Sequence, residues 1–321
     1  MTDSKNFTFY DFHPSTDDFY TAVITGLKAE PKQLSPKFFY DAVGSKWFDA
    51  ITQLPEYYPT RTEIGLLRDY GEEIADLLGH DNLLLELGSG SSLKIRTLLD
   101  VLQPAVYMPI DISKAHLQQA AMSIATDYPD LQVCAVCADY SKPIELPALS
   151  NDYPCAAFFP GSSVGNFEPK EAVLFLQRVA TMIGKGGKLL IGVDLRKNPN
   201  LLHAAYNDSQ GVTAAFNLNL LARINNELGA NFAVDDFQHY AFYNPKLYRI
   251  EMHLVSMKTQ TVRCNSEIVD FQNGESIHSE NSYKYSVEAF QQLAAQAGFE
   301  ALQVWQDEQA LFSLHCLQVH P

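Results

Sequence analysis

Apolar residues recur at three- and four-residue spacing twice in the first quarter of the chain, in Asp17-Asp-Phe-Tyr-Thr-Ala-Val-Ile-Thr-Gly-Leu and in Glu63-Ile-Gly-Leu-Leu-Arg-Asp-Tyr. That period is the stripe of an amphipathic helix. Residues from about 15 to 80 therefore read as helical, with an aromatic, proline-bearing loop between the two stripes. After residue 80 the texture changes to short apolar runs separated by helical stretches: Asn82-Leu-Leu-Leu-Glu-Leu, Ala105-Val-Tyr-Met-Pro-Ile, Leu131-Gln-Val-Cys-Ala-Val, Cys155-Ala-Ala-Phe-Phe and Lys188-Leu-Leu-Ile-Gly-Val. Strands alternating with helices predict a parallel sheet covered on both faces.

Beyond Asp194 the alternation stops. A long helical segment, from about Leu201 to Leu228, leads to Tyr248-Arg-Ile-Glu-Met-His-Leu-Val-Ser-Met, whose period of two predicts an antiparallel strand. The tail returns to a helix, Ser286 to Ala297, and then to two strand-like runs, from Ala301 and from Ala310, joined by a polar turn. The expected organisation is an N-terminal helical segment, 1–80, contributing to two domains; an α/β core of 81–196 completed by 286–321; and an inserted α+β substrate domain, 197–285. No internal repeat is visible.

Composition narrows the partners. With 46% hydrophobic and 19% charged residues in 321, the chain can bury a full-sized core. Thirty-eight acidic against 23 basic residues give a formal charge of -15, which repels phosphate backbones and anionic membranes. Neither nucleic acid nor membrane is an expected partner. The N-terminus lacks a basic start followed by an apolar stretch, and no apolar run is long enough to span a bilayer, so the cytoplasm is expected. Five cysteines lie mostly in strand-like runs and read as reduced thiols. Cys134 and Cys137 form a Cys-x-x-Cys, but within a run that reads as a buried strand, with no second cysteine pair and only scattered histidines; no metal is expected.

Candidate chemistry begins at Glu86-Leu-Gly88-Ser-Gly90-Ser-Ser92, a glycine turn between a predicted strand and a predicted helix. Such a turn lets a backbone approach a ligand at the carboxyl end of a strand, where doubly wound sheets bind cofactors. The third glycine of the dinucleotide fingerprint is replaced by Ser92. Asp111 closes the next strand, 25 residues beyond Glu86, and Asp139-Tyr140 closes the third. Carboxylates at the ends of successive strands suit the ribose and adenine of a nucleoside better than a pyrophosphate, although either aspartate could instead cap the following helix. With no second mononucleotide half, a methyltransferase using S-adenosyl-L-methionine is favoured over a nicotinamide enzyme.

Five longer stretches are more specific than the glycine turn: Phe39-Tyr40-Asp-Ala-Val-Gly-Ser45, Leu54-Pro-Glu-Tyr-Tyr-Pro-Thr-Arg-Thr-Glu63, Glu86-Leu-Gly-Ser-Gly-Ser, Pro160-Gly-Ser-Ser-Val-Gly-Asn166-Phe and Phe242-Tyr-Asn-Pro245. Together they resemble the histidine-specific methyltransferases of ergothioneine biosynthesis, and the match covers nearly the whole chain. The resemblance implies a class I methyltransferase, with a Rossmann-like sheet and an inserted substrate domain, that trimethylates the α-amine of L-histidine to hercynine. Gly88, Lys94, Asp111, Asp139 and Tyr140 would contact the cofactor, Lys94 at the methionyl carboxylate, with Gly161 and Ser163 on the same side. Lys94 has a plain alternative as a solvated helix lysine. Tyr58, Asn166 and Tyr206 would hold the ends of the amino acid, with Tyr40 and Phe48 as pocket walls; which hydroxyl of Tyr57-Tyr58 points inward stays open. Glu280 and Ser282 would recognise the imidazole, sharing a face if their segment is extended, and Met252 would pack on the ring. Ser163, where threonine is expected, and the Asn281-Ser282-Tyr283 neighbourhood depart from the family pattern.

No histidine or lysine is marked as a base. Tyr58 and Asn166 are expected to position a neutral amine, with proton loss to water, by way of Tyr40. A monomer is expected, because one chain supplies both half-sites. Two other readings stay open: a same-fold N-methyltransferase of another amino acid, such as a tryptophan derivative, and a non-catalytic nucleoside-binding protein.

Overall fold

The computed structural model describes residues 6–12, 16–90, 93–144, 146–147 and 153–320. In chain order the elements begin with β1 (Phe7–Asp11), α1 (Thr16–Lys28), α2 (Ala42–Ile51), α3 (Tyr58–Asp69), α4 (Gly71–Leu78), β2 (Leu83–Leu87), α5 (Leu93–Leu102), β3 (Val106–Asp111), α6 (Lys114–Asp127) and β4 (Gln132–Cys137). They continue with β5 (Cys155–Phe159), α7 (Pro169–Ile183), β6 (Lys188–Asp194), α8 (Pro199–Tyr206), α9 (Val212–Leu228), β7 (Phe237–Asn244), β8 (Arg249–Ser256), β9 (Gln260–Cys264) and β10 (Glu267–Phe271). The last are β11 (Ser276–Tyr283), α10 (Val287–Gln296), β12 (Phe299–Gln306) and β13 (Phe312–Val319). The chain divides into two compact units, one of Met1–His13, Pro59–Lys197 and Tyr283–Pro321, the other of Pro14–Tyr58 and Asn198–Ser282.

The first unit is built on an eight-stranded sheet, in the order β1-β4-β3-β2-β5-β6-β13-β12. Strands β1 to β6 run parallel, while β13 runs antiparallel to β6 and β12 antiparallel to β13. Because successive side chains point to opposite faces, Leu83, Leu85 and Leu87 join one apolar cluster with α7 and α10. Leu84 joins the other, with α4, α5 and α6. Both faces are covered, which is why every residue of β2 is buried and the run reads as continuously apolar. Cys134 lies in the first cluster and Cys137 in the second, so the Cys-x-x-Cys is split between the two faces of one strand. Burial pushes both thiols up, Cys137 to about 12. The terminal hairpin forms as expected, whereas β1 lies within the stretch 1–80 expected to be a helical segment; parallel pairing with β4 makes it a strand.

In the second unit, β8 is the middle strand of a three-stranded sheet, β11-β8-β7, and β9 and β10 pair separately. The helix expected from Leu201 to Leu228 is two helices. Between them Gly211, at φ +73°, forms the N-cap of α9, and the Asp208 carboxylate accepts the amides of Val212 and Thr213 at 2.9 and 2.8 Å. Among the described residues no helix is long and apolar enough to cross a membrane.

Candidate functional site

At the carboxyl ends of β2, β3 and β4 the first unit gathers most of the residues expected to bind a nucleoside. The Asp111 carboxylate accepts the Gly90 amide at 3.3 Å and the Ser113 amide at 2.8 Å, so it ties the glycine turn to the end of β3. The N-cap of α6 is Ser113, so Asp111 is not its cap. Asp139 is buried and accepts the Ser141 amide at 3.0 Å. The Tyr140 ring stands edge-on to Phe159, and its hydroxyl lies over Gly88, where a Cβ would be 3.4 Å away. Burial raises the Asp111 carboxyl and the Tyr140 phenol. Ser92, the missing third glycine, lies outside the described residues.

Beneath this rim, Glu86 is buried and accepts the Tyr107 hydroxyl. Burial pushes its carboxyl up to about 8, above the ordinary value of 4.5. The folded protein therefore holds a proton that the unfolded chain releases near pH 4.5. The resulting stabilisation is complete below that pH and is lost as the pH rises through about 8. Relative to the wild type, Glu86→Gln will gain about 3–5 kcal/mol of stability between pH 5 and pH 9. Urea titrations of the cofactor-free protein across that range check it; a difference that stays flat with pH would refute it.

Lys94, in the first turn of α5, is not a solvated charge. Its Nζ lies 2.7 Å from Oε2 of Glu63, whose side chain is 0% exposed. Both Glu63 oxygens also accept the Gly161 amide, at 3.0 and 2.9 Å. Gly161 has φ +79°, a conformation that favours glycine, and a Cβ there would meet Lys94 Nζ at 3.3 Å. On the sheet side a Cβ at Gly192 would fall 2.2 Å from Glu63 Oε1, so the strand needs glycine to admit the carboxylate. The loop beyond Gly161 is anchored again at Ser162, whose hydroxyl accepts the Asp194 amide at 2.8 Å. The Ser163 hydroxyl donates to the Pro160 carbonyl, and a 3-10 turn, Ser163–Asn166, ends at the half-buried Asn166. Asp194 is itself buried and pairs with Lys284 at 2.8 Å and with Lys197; against the burial that would raise it, these lysines hold its carboxyl low.

The second unit holds the residues expected around the amino acid, except Asn166, which belongs to the first. Tyr40 stands edge-on to Phe48 at 5.7 Å and to Phe216 at 5.8 Å. Tyr57 bridges this wall to Tyr206, with centroids 6.3 Å from Phe48 and 6.4 Å from Tyr206. Tyr58 is buried at the start of α3. The Tyr206 hydroxyl donates to Ser282 Oγ at 2.7 Å. Glu280 and Ser282 lie on β11, which is extended as their proposed pairing requires; Glu280 is half-buried and Met252, on β8, is buried. The histidines are less scattered than they read in sequence. Glu251, His253 and His278 bring ligand-type atoms within 4.8 Å of one another. However, Arg249 Nε donates to Glu251 at 2.8 Å, and the two imidazoles stack at 4.9 Å with 17° between planes. Stacked rings cannot both aim an in-plane lone pair at one ion.

Several residues at these sites escaped notice in the sequence. In the sequence Glu63 stands only as the last residue of the Leu54–Glu63 motif. The signal was its place on the apolar stripe of Leu66 and Leu67, where a carboxylate needs a buried partner. Asn217 likewise sits on the buried stripe of α9, between Phe216 and Leu220.

A sheet whose parallel strands end in a glycine turn and two carboxylates, and which closes with an antiparallel hairpin where a dehydrogenase would begin a second mononucleotide half, is that of a class I S-adenosylmethionine-dependent methyltransferase. The chain belongs to the histidine-specific, S-adenosylmethionine-dependent methyltransferases, whose family model matches residues 19–319. It is 42% identical to a histidine N-alpha-methyltransferase of Mycolicibacterium smegmatis, over 91% of this chain and 92% of that one. It is 29% identical to ergothioneine biosynthesis protein 1 of Neurospora crassa, over 87% of this chain and 32% of that protein. A 4-dimethylallyltryptophan N-methyltransferase of Claviceps purpurea is 26% identical, over 91% of this chain and 92% of the other.

Proposed function

We infer that this protein transfers methyl groups from S-adenosyl-L-methionine to the α-amino nitrogen of L-histidine, three in succession, to give hercynine, the first step of ergothioneine biosynthesis. The observation that carries this reading is the 42% identity to a histidine N-alpha-methyltransferase along nearly the full length of both chains. The residues present suit the cofactor. Asp111 and Asp139 offer acceptors for ribose and adenine, Lys94 a cation for the methionyl carboxylate, and Ser89 Oγ, in the glycine turn, is buried without a hydrogen-bond partner.

The sulfonium supplies an already activated methyl group, so that a C–N bond forms as the C–S bond breaks and S-adenosylhomocysteine leaves. The chain's task is alignment, and orientation of this kind contributes about 7–11 kcal/mol. In our reading Tyr58 and Asn166 hold the amine in its neutral form, each round releasing one proton to water past Tyr40. Tyr206 takes the carboxylate end, Phe48 walls the pocket, and Met252, Glu280 and Ser282 receive the imidazole. Gly88, Tyr140, Gly161 and Ser163 line the cofactor's side. The same reading makes the protein a cytoplasmic monomer whose -15 charge gives it no affinity for nucleic acid or anionic membrane.

A tryptophan-type substrate is the second reading, and the Claviceps relative is the reason to test it. Mass spectrometry of purified protein with S-adenosylmethionine and each amino acid in turn decides between them. Stepwise gain of three methyl groups on histidine alone is the expected result. Methylation of a tryptophan derivative in its place would overturn the reading, and cofactor binding without any turnover would make this a binding protein.

A further inference from the structure

Behind the aromatic wall of the second unit lies a buried polar relay. Asn217, fully buried on α9, touches all three strands of the sheet. Its Nδ2 donates to the His253 carbonyl of β8 at 3.1 Å and meets His239 Nδ1 of β7 at 2.9 Å, while its Oδ1 accepts the Ser279 hydroxyl of β11 at 2.8 Å. A carbonyl can only accept, so the contact to His253 fixes which amide atom is nitrogen. That nitrogen then faces His239 Nδ1 as a donor, so Nδ1 carries the lone pair and the proton sits on Nε2. His239 Nε2 lies 2.9 Å from the Tyr206 carbonyl, which it can reach only as a donor. The Ser279 hydroxyl also faces the Met252 carbonyl at 3.1 Å, but from Asn217 Nδ2 through His239 to the Tyr206 carbonyl each atom has one permitted role, and the roles agree. Burial lowers the His239 pKa, against the Tyr206 carbonyl and the nearby Asp208, which raise it, so the imidazole stays neutral.

Tyr206 is thereby gripped from two sides, by His239 at its carbonyl and by Ser282 at its hydroxyl. Phe216, the residue before Asn217, packs on Phe39, Tyr40 and Phe48, so one turn of α9 supports both the aromatic wall and the relay. We propose that Asn217 and His239 are positioning residues for substrate selection: the relay, with His239 held as the neutral Nε2–H tautomer, sets Tyr206 and Ser282 in the geometry that recognises the amino acid. This rests on the reading that Tyr206 and Ser282 bind histidine. A merely structural pin would lower stability and turnover together, whereas a positioning role appears in the substrate's KM.

Two variants separate these. Glutamine at 239 carries an acceptor and a donor about as far apart as the two ring nitrogens; phenylalanine carries neither. His239→Phe should raise KM for histidine at least tenfold, with kcat and KM for S-adenosylmethionine within about twofold of wild type, and His239→Gln should restore most of it. An unchanged KM for histidine in His239→Phe, or a fall in kcat alone, would overturn the proposal. Nitrogen-15 NMR of the histidine side chains in the wild-type protein at pH 7, assigned by the loss of one spin system in His239→Gln, reads the tautomer without any assay. The Nε2–H form is expected, and a charged or Nδ1–H ring would refute the relay. If the wild type methylates another amino acid, the NMR result still decides the relay while the histidine reading falls.

Discussion

Glu63→Ala will destabilise the protein by about 3–5 kcal/mol, the cost of removing one partner from a buried pair and leaving the other uncompensated. The carboxylate is wholly enclosed, and its loss strands two donors at once, the Lys94 ammonium and the Gly161 amide. The internal comparison is the pair Arg96–Asp127, which has the same 2.7 Å separation but lies 32% and 49% exposed. Solvent screens that pair, and Asp127→Ala will cost no more than about 1 kcal/mol. Urea denaturation of the two variants side by side makes the measurement. A Glu63→Ala cost indistinguishable from that of Asp127→Ala would show that the enclosed carboxylate is not what holds Lys94 and the Gly161 loop. Since Lys94 is the proposed partner of the methionyl carboxylate, KM for S-adenosylmethionine is expected to rise in Glu63→Ala by at least tenfold. The KM for histidine should change less.

Strands β2 to β6 are legible because both faces of their sheet are covered, so each is a mainly apolar run, broken internally only by Glu86 of β2. The break between α8 and α9 falls on Asn207-Asp-Ser-Gln-Gly211, five residues without an apolar position, a turn signal that the reading of one long helix passes over. There Gly211, at φ +73°, forms the N-cap of α9, and the Asp208 carboxylate accepts the helix's first two amides. β1 escapes for a different reason: five residues with polar positions among them carry little signal, and only the neighbouring β4 makes them a strand. At the site, glycines and strand-end carboxylates are visible because their chemistry is tied to sequence position. Glu63 and Asn217 are visible only as polar residues on apolar stripes. What such residues do depends on partners 31 and 98 positions away for Glu63, and 22 and 62 away for Asn217, which no local pattern reports.

Selection of histidine over other amino acids rests, in the reading proposed here, on the carboxylate of Glu280 and the hydroxyl of Ser282. Glu280→Gln keeps the shape of the side chain and an acceptor but removes its charge. A charge-assisted hydrogen bond in an enclosed site is worth about 1.5–3 kcal/mol, so KM for histidine is expected to rise about 10- to 150-fold, with KM for S-adenosylmethionine unchanged. Ser282→Ala removes a neutral partner, worth about 0.5–1.5 kcal/mol, and should raise KM by about 2- to 12-fold. Because Ser282 also accepts the Tyr206 hydroxyl, part of that rise would come from a tyrosine that has lost its acceptor. Tyr206→Phe removes the same bond from the other side, so in a double-mutant cycle the two changes should be less than additive. Equal KM values for histidine in wild type and Glu280→Gln would mean that the imidazole is read by other residues, and the choice between histidine and a tryptophan-type substrate would then pass to the aromatic wall of Tyr40, Phe48, Tyr57 and Phe216.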